Sequence, residues 1–397
     1  MRVLVLSDTP FLPQAAGNRA RIASMIAWLT GAGHEVGALL LPAVDRAEWD
    51  VDGMRAHLAW LEVAAGEPPG LLERAAARIA RAARRHAADD ARPIGVDDWC
   101  PPWFRAQAHA RVRAWRPDVV LVEYVYLSAC LDGLDAGPVR IVDTHDVMSR
   151  RRAVYEALAM APQWFHTSAA EERRGLLRAD LVLAMQDDEA AALRALVPER
   201  TVLTVPHALE VRPALPDAAI PGRLLFVGSY NDLNVRALAW FLQAVWPALR
   251  DEVPGIELEV CGNVAEKIGP LPAGVVARGF VPSADAAYAA ARVIVCPVAG
   301  GTGLKVKVVE ALGHGRPVVT TTAGAAGLDH GDDAGVLVAD DPGAFRAAVH
   351  ALLVDDARWR RAAAGAAAHA ARRFTPAVAF GPLLAEIRRR VSADAGT

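Results

Sequence analysis

The sequence lacks the features that define several common classes of protein. Its four cysteines are scattered and form no CxxC pair, so it predicts neither a disulfide framework nor a zinc site and suits a reducing cytoplasm. No apolar run approaches the ~20 residues that a membrane-spanning helix needs. The net charge of −3 gives no general attraction to nucleic acid, and no HExxH motif is present. We therefore expect a cytoplasmic protein with no nucleic-acid partner and no metal ion.

The amino-terminal region also lacks two familiar signals. The start, MRVLVLSD, has no separate basic segment and no cleavage site, so we interpret Val3–Ser7 as a first strand rather than as part of a signal peptide. No GxGxxG follows this strand, and the next residues are Asp8, Thr9 and Pro10. That absence weighs against a nicotinamide- or flavin-binding domain.

What the chain does contain is an alternation of strand and helix patterns, and 397 residues are enough for two α/β domains. The first half predicts further strands at Glu35–Leu41, Val119–Glu123, Arg140–Asp143 and Leu181–Met185. The second half predicts strands beginning at Leu224 and at Pro317, and strands at Glu257–Cys261, Val275–Ala277 and Val293–Cys296. The proline-rich stretch Val205–Gly222 predicts the boundary between domains at residues 1–205 and 206–373.

The stretch from Arg292 to Ala325 combines a buried strand, a glycine-rich loop and a helix. Free N–H groups and the helix dipole make such a loop-to-helix junction an anion site, and Lys305 and Lys307 add positive charge there. Glu310 lies about one turn beyond Lys307. The alternative interpretation is a plain βαβ unit with a solvated lysine face, in which Lys307 and Glu310 form an i,i+3 pair.

The full pattern of this stretch, P-x3-GTGLKxKxxEALxxGxPVVxTxxGxxGL, resembles the donor-sugar signature of the retaining glycosyltransferases of family GT4. The resemblance implies the α/β GT-B fold, in which two Rossmann-like domains face each other across a cleft and a final helix, here residues 374–397, crosses back to the first domain. It also implies that the loop holds the sugar and diphosphate of the donor and that the acid binds the ribose. The donor-binding residues would then be Gly301, Thr302, Gly303, Leu304, Lys305, Lys307 and Glu310. One departure is Thr302, where many relatives carry a second glutamate.

A second resemblance to the same family lies near the amino terminus, in the pattern AGNR followed by GHEV. Gly17 matches a glycine of a loop that lies at the cleft in the family and is expected near the donor. Asn18 and Arg19 replace the usual second glycine of that loop. We expect Asn18 and Arg19 on the acceptor side, and the alternative for Arg19 is a surface arginine.

His145 and Asp146 follow the predicted strand Arg140–Asp143, and ligands bind at the carboxyl ends of strands in open α/β sheets. A lone histidine is usually structural. The resemblance implies instead that the imidazole of His145 contacts the donor sugar. His145, Lys307 and Glu310 are therefore the expected catalytic residues, with Asp146 on the acceptor side.

The start of the second domain departs from the family pattern. Relatives often carry an arginine directly after the glycine that Gly228 matches, and a lysine six or seven residues later, both contacting the diphosphate. Here Ser229 replaces the arginine and Arg236 lies near the second position. We expect Arg236 to contact the donor, with more of the diphosphate contact falling on Lys305 and Lys307.

Three polar segments have plainer interpretations. The run from Asp187 to Glu189 is typical of a helix cap. Asp50-Val51-Asp52 forms a DxD, but it follows no apolar strand, so we expect it on the surface. Leu71–Arg85 predicts a basic helix docked on its own domain, and the alternative is peripheral contact with an anionic membrane surface at the inner face of the membrane.

The function that the resemblance implies is transfer of a sugar, of hexosyl type, from a nucleotide diphosphate sugar to an acceptor hydroxyl with retention of configuration. The acceptor stays open among saccharides, lipid-linked sugars, metabolites and proteins, in polysaccharide, glycoconjugate or glycosylated-metabolite biosynthesis. No metal or other cofactor is expected, because a cationic loop and a helix N-terminus can neutralise the leaving diphosphate. Two alternatives are a GT-B nucleotide-sugar epimerase and a non-catalytic protein that binds nucleotide sugars.

Overall fold

The computed structural model of the chain describes residues 1–42, 48–66, 94–134, 137–213 and 218–394. The predicted basic helix Leu71–Arg85 lies outside these ranges. Among the residues within them, we find no helix that combines the length and the apolar character required to span a bilayer.

The first domain is built on a parallel sheet with the strand order β3-β2-β1-β4-β5-β6-β7. Its strands are β1 (Arg2–Ser7), β2 (Glu35–Leu40), β3 (Trp60–Val63), β4 (Val119–Glu123), β5 (Val139–Asp143), β6 (Leu181–Ala184) and β7 (Thr201–Thr204). The order reverses at β1, which pairs with β2 on one side and with β4 on the other. Because ligands bind where the strand order reverses in such sheets, the carboxyl ends of β1 and β4 mark the functional edge.

The second domain repeats this winding with the strand order β10-β9-β8-β11-β12-β13. Its strands are β8 (Arg223–Val227), β9 (Glu257–Cys261), β10 (Val275–Gly279), β11 (Val293–Cys296), β12 (Val318–Thr320) and β13 (Val336–Val338). Here the order reverses at β8, between β9 and β11. The prediction of two Rossmann-like domains is therefore confirmed.

Three strands that the sequence did not predict all lie at sheet edges: β3, β7 and β13. An edge strand is paired on one side only and is less covered, so it need not carry a continuous apolar run. Every residue of β3 is only half-buried, whereas every residue of β4 and β11 is buried. The signal that predicted the central strands is therefore weak at the edges.

Helices cover both faces of the first sheet, as alternating side chains of β1 show. Val3 and Val5 belong to one buried cluster, and Leu4 and Leu6 belong to another. The helices of the first domain are α1 (Gly17–Gly31), α2 (Val51–Arg55), α3 (Pro102–Trp115), α4 (Met148–Ala157), α5 (Ala169–Leu176) and α6 (Asp187–Leu196), with a 3₁₀ helix at Val125–Leu131. The Asp50-Val51-Asp52 segment begins α2, where the Asp50 side chain accepts a hydrogen bond from the Gly53 amide.

The second domain has its own helices and a final helix that returns to the first domain. Its helices are α7 (Asp232–Trp240), α8 (Trp246–Glu252), α9 (Asp285–Ala290), α10 (Val306–Gly313), α11 (Pro342–Val354) and α12 (Asp356–Arg373), with 3₁₀ helices at Asn263–Lys267 and Asp332–Ala334 and a π-helical turn at Phe241–Val245. The last helix is α13 (Pro376–Asp394). Its Phe380, Leu383 and Ile387 are buried in the same cluster as Val3 and Val5 of β1.

Candidate active site

Loops from the two domains enclose a cleft of about 1490 Å³. The first domain contributes the loop after β1, Tyr124 after β4, and His145 and Asp146 after β5. The second contributes Ser229 after β8 and the glycine-rich loop between β11 and α10. The cleft lies where both sheets reverse their strand order, which is the ligand-binding edge of sheets of this type.

Most of the residues singled out from the sequence line this cleft. They are Gly17, Asn18, His145, Asp146, Gly301, Thr302, Gly303, Leu304, Lys305, Lys307 and Glu310. Arg19 lies outside the cleft wall, and one of its guanidinium nitrogens donates to the Pro13 carbonyl at 3.4 Å.

Arg236 is also away from the cleft, contrary to expectation. It lies on the exposed side of α7, because the buried positions Asn234, Ala237 and Leu238 face the opposite way. Its guanidinium donates to the Leu158 carbonyl of the first domain at 2.6 Å. Arg236 is therefore not among the residues that line the cleft.

Lys305, which lines the cleft, also bonds to its own loop. Its Nζ donates to the carbonyls of Gly301 at 3.0 Å, Thr302 at 3.3 Å and Gly303 at 2.7 Å. Burial lowers the pKa of this amine, and the charge of Asp146 acts in the opposite direction. These bonds hold the shape of the loop, and a contact between Lys305 and the donor diphosphate stays a prediction.

Lys307 and Glu310 have partners other than each other. Lys307 Nζ donates to Asn234 Oδ1 at 2.7 Å and lies 5.3 Å from the centre of the Phe226 ring. Glu310 Oε2 accepts from the Tyr288 hydroxyl at 2.9 Å. Both side chains line the cleft, so the interpretation of the two as a solvated i,i+3 pair does not describe this helix.

Glu189 makes a contact between the domains that the sequence did not predict. Instead of capping α6, its Oε1 accepts from the Gly303 amide at 2.8 Å. Its side chain is buried, and burial raises the pKa of Glu189 to about 7, with the nearby Asp146 charge adding to the effect. The local sequence around Glu189 looks the same as that of an acid that caps a helix. Only the tertiary fold brings α6 against the glycine-rich loop.

His145 is held on two sides within the first domain. Its Nε2 lies 2.5 Å from Glu123 Oε2, and the His145 and Glu123 side chains are 5% and 1% exposed. Its ring stacks on Tyr124 with 4.2 Å between the ring centres. Glu123 was not predicted as a site residue, although an acid at the carboxyl end of a buried strand is a usable signal.

A buried ion pair lies beneath His145. Arg21 donates from Nε and Nη2 to the two carboxylate oxygens of Asp143 at 2.7 and 2.9 Å, and both side chains are fully buried. Asp143, Glu123 and His145 have ligand atoms within 4.8 Å of one another. The Arg21 guanidinium neutralises the charge of Asp143.

Asn18 and Asp146, which are predicted to lie on the acceptor side, both line the cleft. Asn18 Nδ2 donates to the Tyr124 hydroxyl at 2.9 Å. Asp146 accepts from Arg151 Nη2 at 2.7 Å, so its charge is paired. A Cβ on Gly17 would lie 3.0 Å from the Val306 Cβ, so a side chain there would push α1 away from α10.

Replacing Gly303 with valine is expected to weaken donor binding roughly tenfold or more. Gly303 has φ +79°, which disfavours any side chain, and a Cβ there would lie 3.0 Å from the His145 carbonyl oxygen. Gly269→Val is the matched control, because Gly269 has φ +82° with no heavy atom within 4 Å of the added Cβ. Both variants should lose ~1–2 kcal/mol to backbone strain. Calorimetry should show an affinity loss only for Gly303→Val, and unchanged affinity there would make the loop a purely structural turn.

The stability of the ligand-free protein is expected to fall between about pH 4.5 and 7 through Glu189 and Glu310. Burial raises the pKa of each carboxyl from 4.5 to about 7, so the folded protein holds more protons than the unfolded chain in this window. Each carboxyl therefore contributes roughly 1–3 kcal/mol to the free energy of unfolding. This contribution is fully present below pH 4.5 and is lost as pH rises through 7.

Urea unfolding at pH 5 and pH 8 measures this dependence. Glu189→Gln and Glu310→Gln should each reduce the loss of unfolding free energy between the two pH values. Glu199→Gln is the control, because an exposed pairing with Arg173 lowers the pKa of Glu199 to about 2. Equal pH dependence in all four proteins would contradict the assignment.

Comparisons with known proteins agree with this architecture. The second domain matches the family model for glycosyl transferases group 1 over residues 221–355. No curated protein sequence matches the chain. Sucrose-phosphate synthase from Thermosynechococcus elongatus has a TM-score of 0.72 at 17% identity, covering 99% of this chain and 100% of that one.

Two other solved structures are similar over nearly their whole length. HepE from Anabaena, in complex with UDP and glucose, has a TM-score of 0.65 at 15% identity, covering 98% of this chain and 100% of that one. A mutant of TarM from S. aureus, in complex with fondaparinux, α-GlcNAc-glycerol and UDP, has a TM-score of 0.69 at 8% identity, covering 97% and 99%.

These likenesses define the class of fold. The chain has the GT-B architecture, as predicted, with two Rossmann-like domains facing each other across a cleft. Together with the family model over the second domain, they support a glycosyltransferase.

Proposed function

We propose that the protein is a retaining glycosyltransferase of family GT4 that moves a hexosyl group from a nucleotide diphosphate sugar to an acceptor hydroxyl. The observation that carries this proposal is the approach of the two domains at one point of the cleft. The His145 carbonyl oxygen lies 3.0 Å from the position of a Cβ on Gly303. We place the donor diphosphate on the glycine-rich loop and the donor sugar beside His145, which meets the loop at this point.

The loop and α10 form the diphosphate site in this proposal. Within the described part of the chain, the amides of Gly301, Thr302 and Leu304 have no hydrogen-bond acceptor. Lys307 and the N-terminal end of α10 add positive charge beside them. These groups stabilise the leaving diphosphate, so we propose that the reaction needs no divalent cation. Glu310, about one turn further along the same helix, faces the ribose.

The bond between the anomeric carbon and the diphosphate oxygen breaks, and the acceptor oxygen forms its bond to that carbon on the same face. The acceptor proton passes to the departing phosphate oxygen, so no protein nucleophile is needed and the configuration is retained. His145 contacts the donor sugar as the bond breaks. Asn18 and Asp146, on the opposite side of the cleft, face the acceptor.

Two of the structural neighbours guide the choice of substrates. HepE was solved with UDP-glucose, and TarM with UDP and saccharides. We therefore propose a UDP-hexose as donor and a saccharide hydroxyl as acceptor, with the reaction taking place in the cytoplasm.

A thermal-shift screen against UDP, GDP, ADP, TDP and their sugars tests the donor. Ligand at 100 times its Kd should add about 2.7 kcal/mol of stability. Turnover of the best donor is then followed by NMR, with and without EDTA. Transfer or slow hydrolysis with retained configuration and no EDTA effect supports the proposal. A product inverted at C2 indicates an epimerase, and binding without turnover indicates a non-catalytic protein.

A further inference from the structure

We propose that Glu123 is a positioning residue for His145, holding the imidazole in the tautomer that leaves Nδ1 as a hydrogen-bond acceptor toward the cleft. The tautomer is inferred from the contact between Glu123 and His145. The kinetic consequence rests on the proposed function, because it takes the donor sugar as the partner of Nδ1.

The contact between the two side chains is short and shielded. Glu123 Oε2 lies 2.5 Å from His145 Nε2, and the two side chains are 1% and 5% exposed. Burial raises the pKa of Glu123, and the hydrogen bond to His145 acts in the opposite direction by favouring the carboxylate. An ionised carboxylate only accepts hydrogen bonds, so it selects the imidazole form whose proton is on Nε2. Nδ1 then carries the lone pair. His145 lines the cleft, and no residue in the described part of the chain bonds to its Nδ1.

The charges around this pair identify Glu123 as the group that acts on the ring. Asp143 also faces His145, with Oδ2 at 3.9 Å from Nε2, but both of its oxygens accept from Arg21. Asp8 lies near enough to interact electrostatically with His145, and it accepts hydrogen bonds from the Tyr126 hydroxyl. Among these acids, Glu123 is the one in hydrogen-bond contact with the imidazole.

The surrounding backbone and rings keep the imidazole from turning away. Tyr124 stacks on it at 4.2 Å between ring centres, with 20° between the ring planes. Tyr124 and His145 both have positive φ, at +67° and +54°. Such strained conformations cluster at functional sites, where the surrounding structure imposes them. The arrangement therefore fixes both the direction of the ring and the position of its proton.

The consequence is a defined hydrogen bond to the substrate. With the proton on Nε2, Nδ1 accepts a hydrogen bond from a hydroxyl of the donor sugar. With the proton on Nδ1 instead, two donors would face each other and that contact would be lost. Removing the charge of Glu123 removes the preference between these forms.

The tautomer is measured directly by long-range ¹H–¹⁵N NMR of histidine-labelled protein, with His145→Ala used to assign the signal. We expect the Nε2–H pattern in the wild type and a shift toward the Nδ1–H form in Glu123→Gln. Glu123→Asp keeps a carboxylate and should keep the wild-type pattern. An Nδ1–H pattern in the wild type overturns the proposal even if Glu123→Gln does not fold, and so does an unchanged pattern in a folded Glu123→Gln.

Kinetics supply the second readout. Glu123→Gln should lower kcat roughly 10- to 100-fold while the Kd for UDP changes less than about 3-fold, and Glu123→Asp should recover part of the loss. Glu259→Gln is the control, since it removes a buried carboxylate of β9 that pairs with Arg223 and Arg278. A kcat for Glu123→Gln equal to that of Glu259→Gln overturns the positioning role. If the wild type turns over no nucleotide sugar, the proposed function fails while the NMR result still decides the tautomer.

Discussion

Replacing His145 with alanine is expected to lower kcat for sugar transfer by about 100-fold or more, with a much smaller change in donor affinity. The imidazole is buried, stacked on Tyr124 and bonded to Glu123, so it is already in place before the substrate arrives. A group that is held in advance stabilises the sugar most as the glycosidic bond breaks, because it needs no reorganisation at that moment.

His109→Ala is the matched control for this experiment. His109 is a half-buried histidine of α3 whose Nε2 lies 3.2 Å from the Cys130 carbonyl oxygen, outside the cleft. Steady-state kinetics should show normal turnover for His109→Ala and the large loss for His145→Ala. Unchanged turnover in His145→Ala would remove this residue from the mechanism.

The second large effect is expected at Glu310, where Glu310→Ala should raise the Kd for the nucleotide diphosphate roughly 10- to 150-fold. A carboxylate that accepts from two ribose hydroxyls makes charge-assisted bonds. Removing it from a partly desolvated cleft costs about 1.5–3 kcal/mol. Because the ribose is remote from the reacting bond, the loss should appear mainly in binding.

We expect Glu310→Ala to have little effect on the stability of the fold. The Tyr288 hydroxyl, which donates to Glu310, also lies 3.1 Å from the Lys307 carbonyl oxygen and keeps that acceptor in the variant. A 2′,3′-dideoxy nucleotide is the control ligand, since it offers no hydroxyl to the carboxylate. Calorimetry should show a much smaller loss for the dideoxy nucleotide. Equal losses for both nucleotides would contradict the assignment of Glu310 to the ribose.

The central strands of the fold were predictable because their signals are local. The apolar runs of β4 and β11 are buried, and a short apolar run rich in β-branched residues is typical of a fully buried strand. The edge strand β3 carries no such run, since each of its residues is half-buried. Its existence depends on β2 being there to pair with it.

The candidate site was predictable to a similar extent. The sequence indicated the glycine-rich loop, His145 and Glu310, and the structure brings all three to one cleft. It did not indicate Glu123 or Glu189, because the partners of these acids lie 22 and 114 positions away in the chain. It also placed Arg236 near the donor, whereas the buried face of α7 turns that side chain outward.

By itself, the sequence determined that two domains with parallel sheets would form and that a glycine-rich loop would precede a helix in the second. These properties follow from the spacing of apolar residues, from turn-forming residues and from the residues at helix ends. Each of these signals extends over only a few positions of the chain. Only the tertiary structure decided which polar groups stay available to a substrate. Lys305 turns to its own loop carbonyls, the Gly303 amide binds Glu189, and His145 binds Glu123. The physical reason is that a buried polar group takes whatever partner the fold brings within hydrogen-bond distance, and local sequence does not specify that partner.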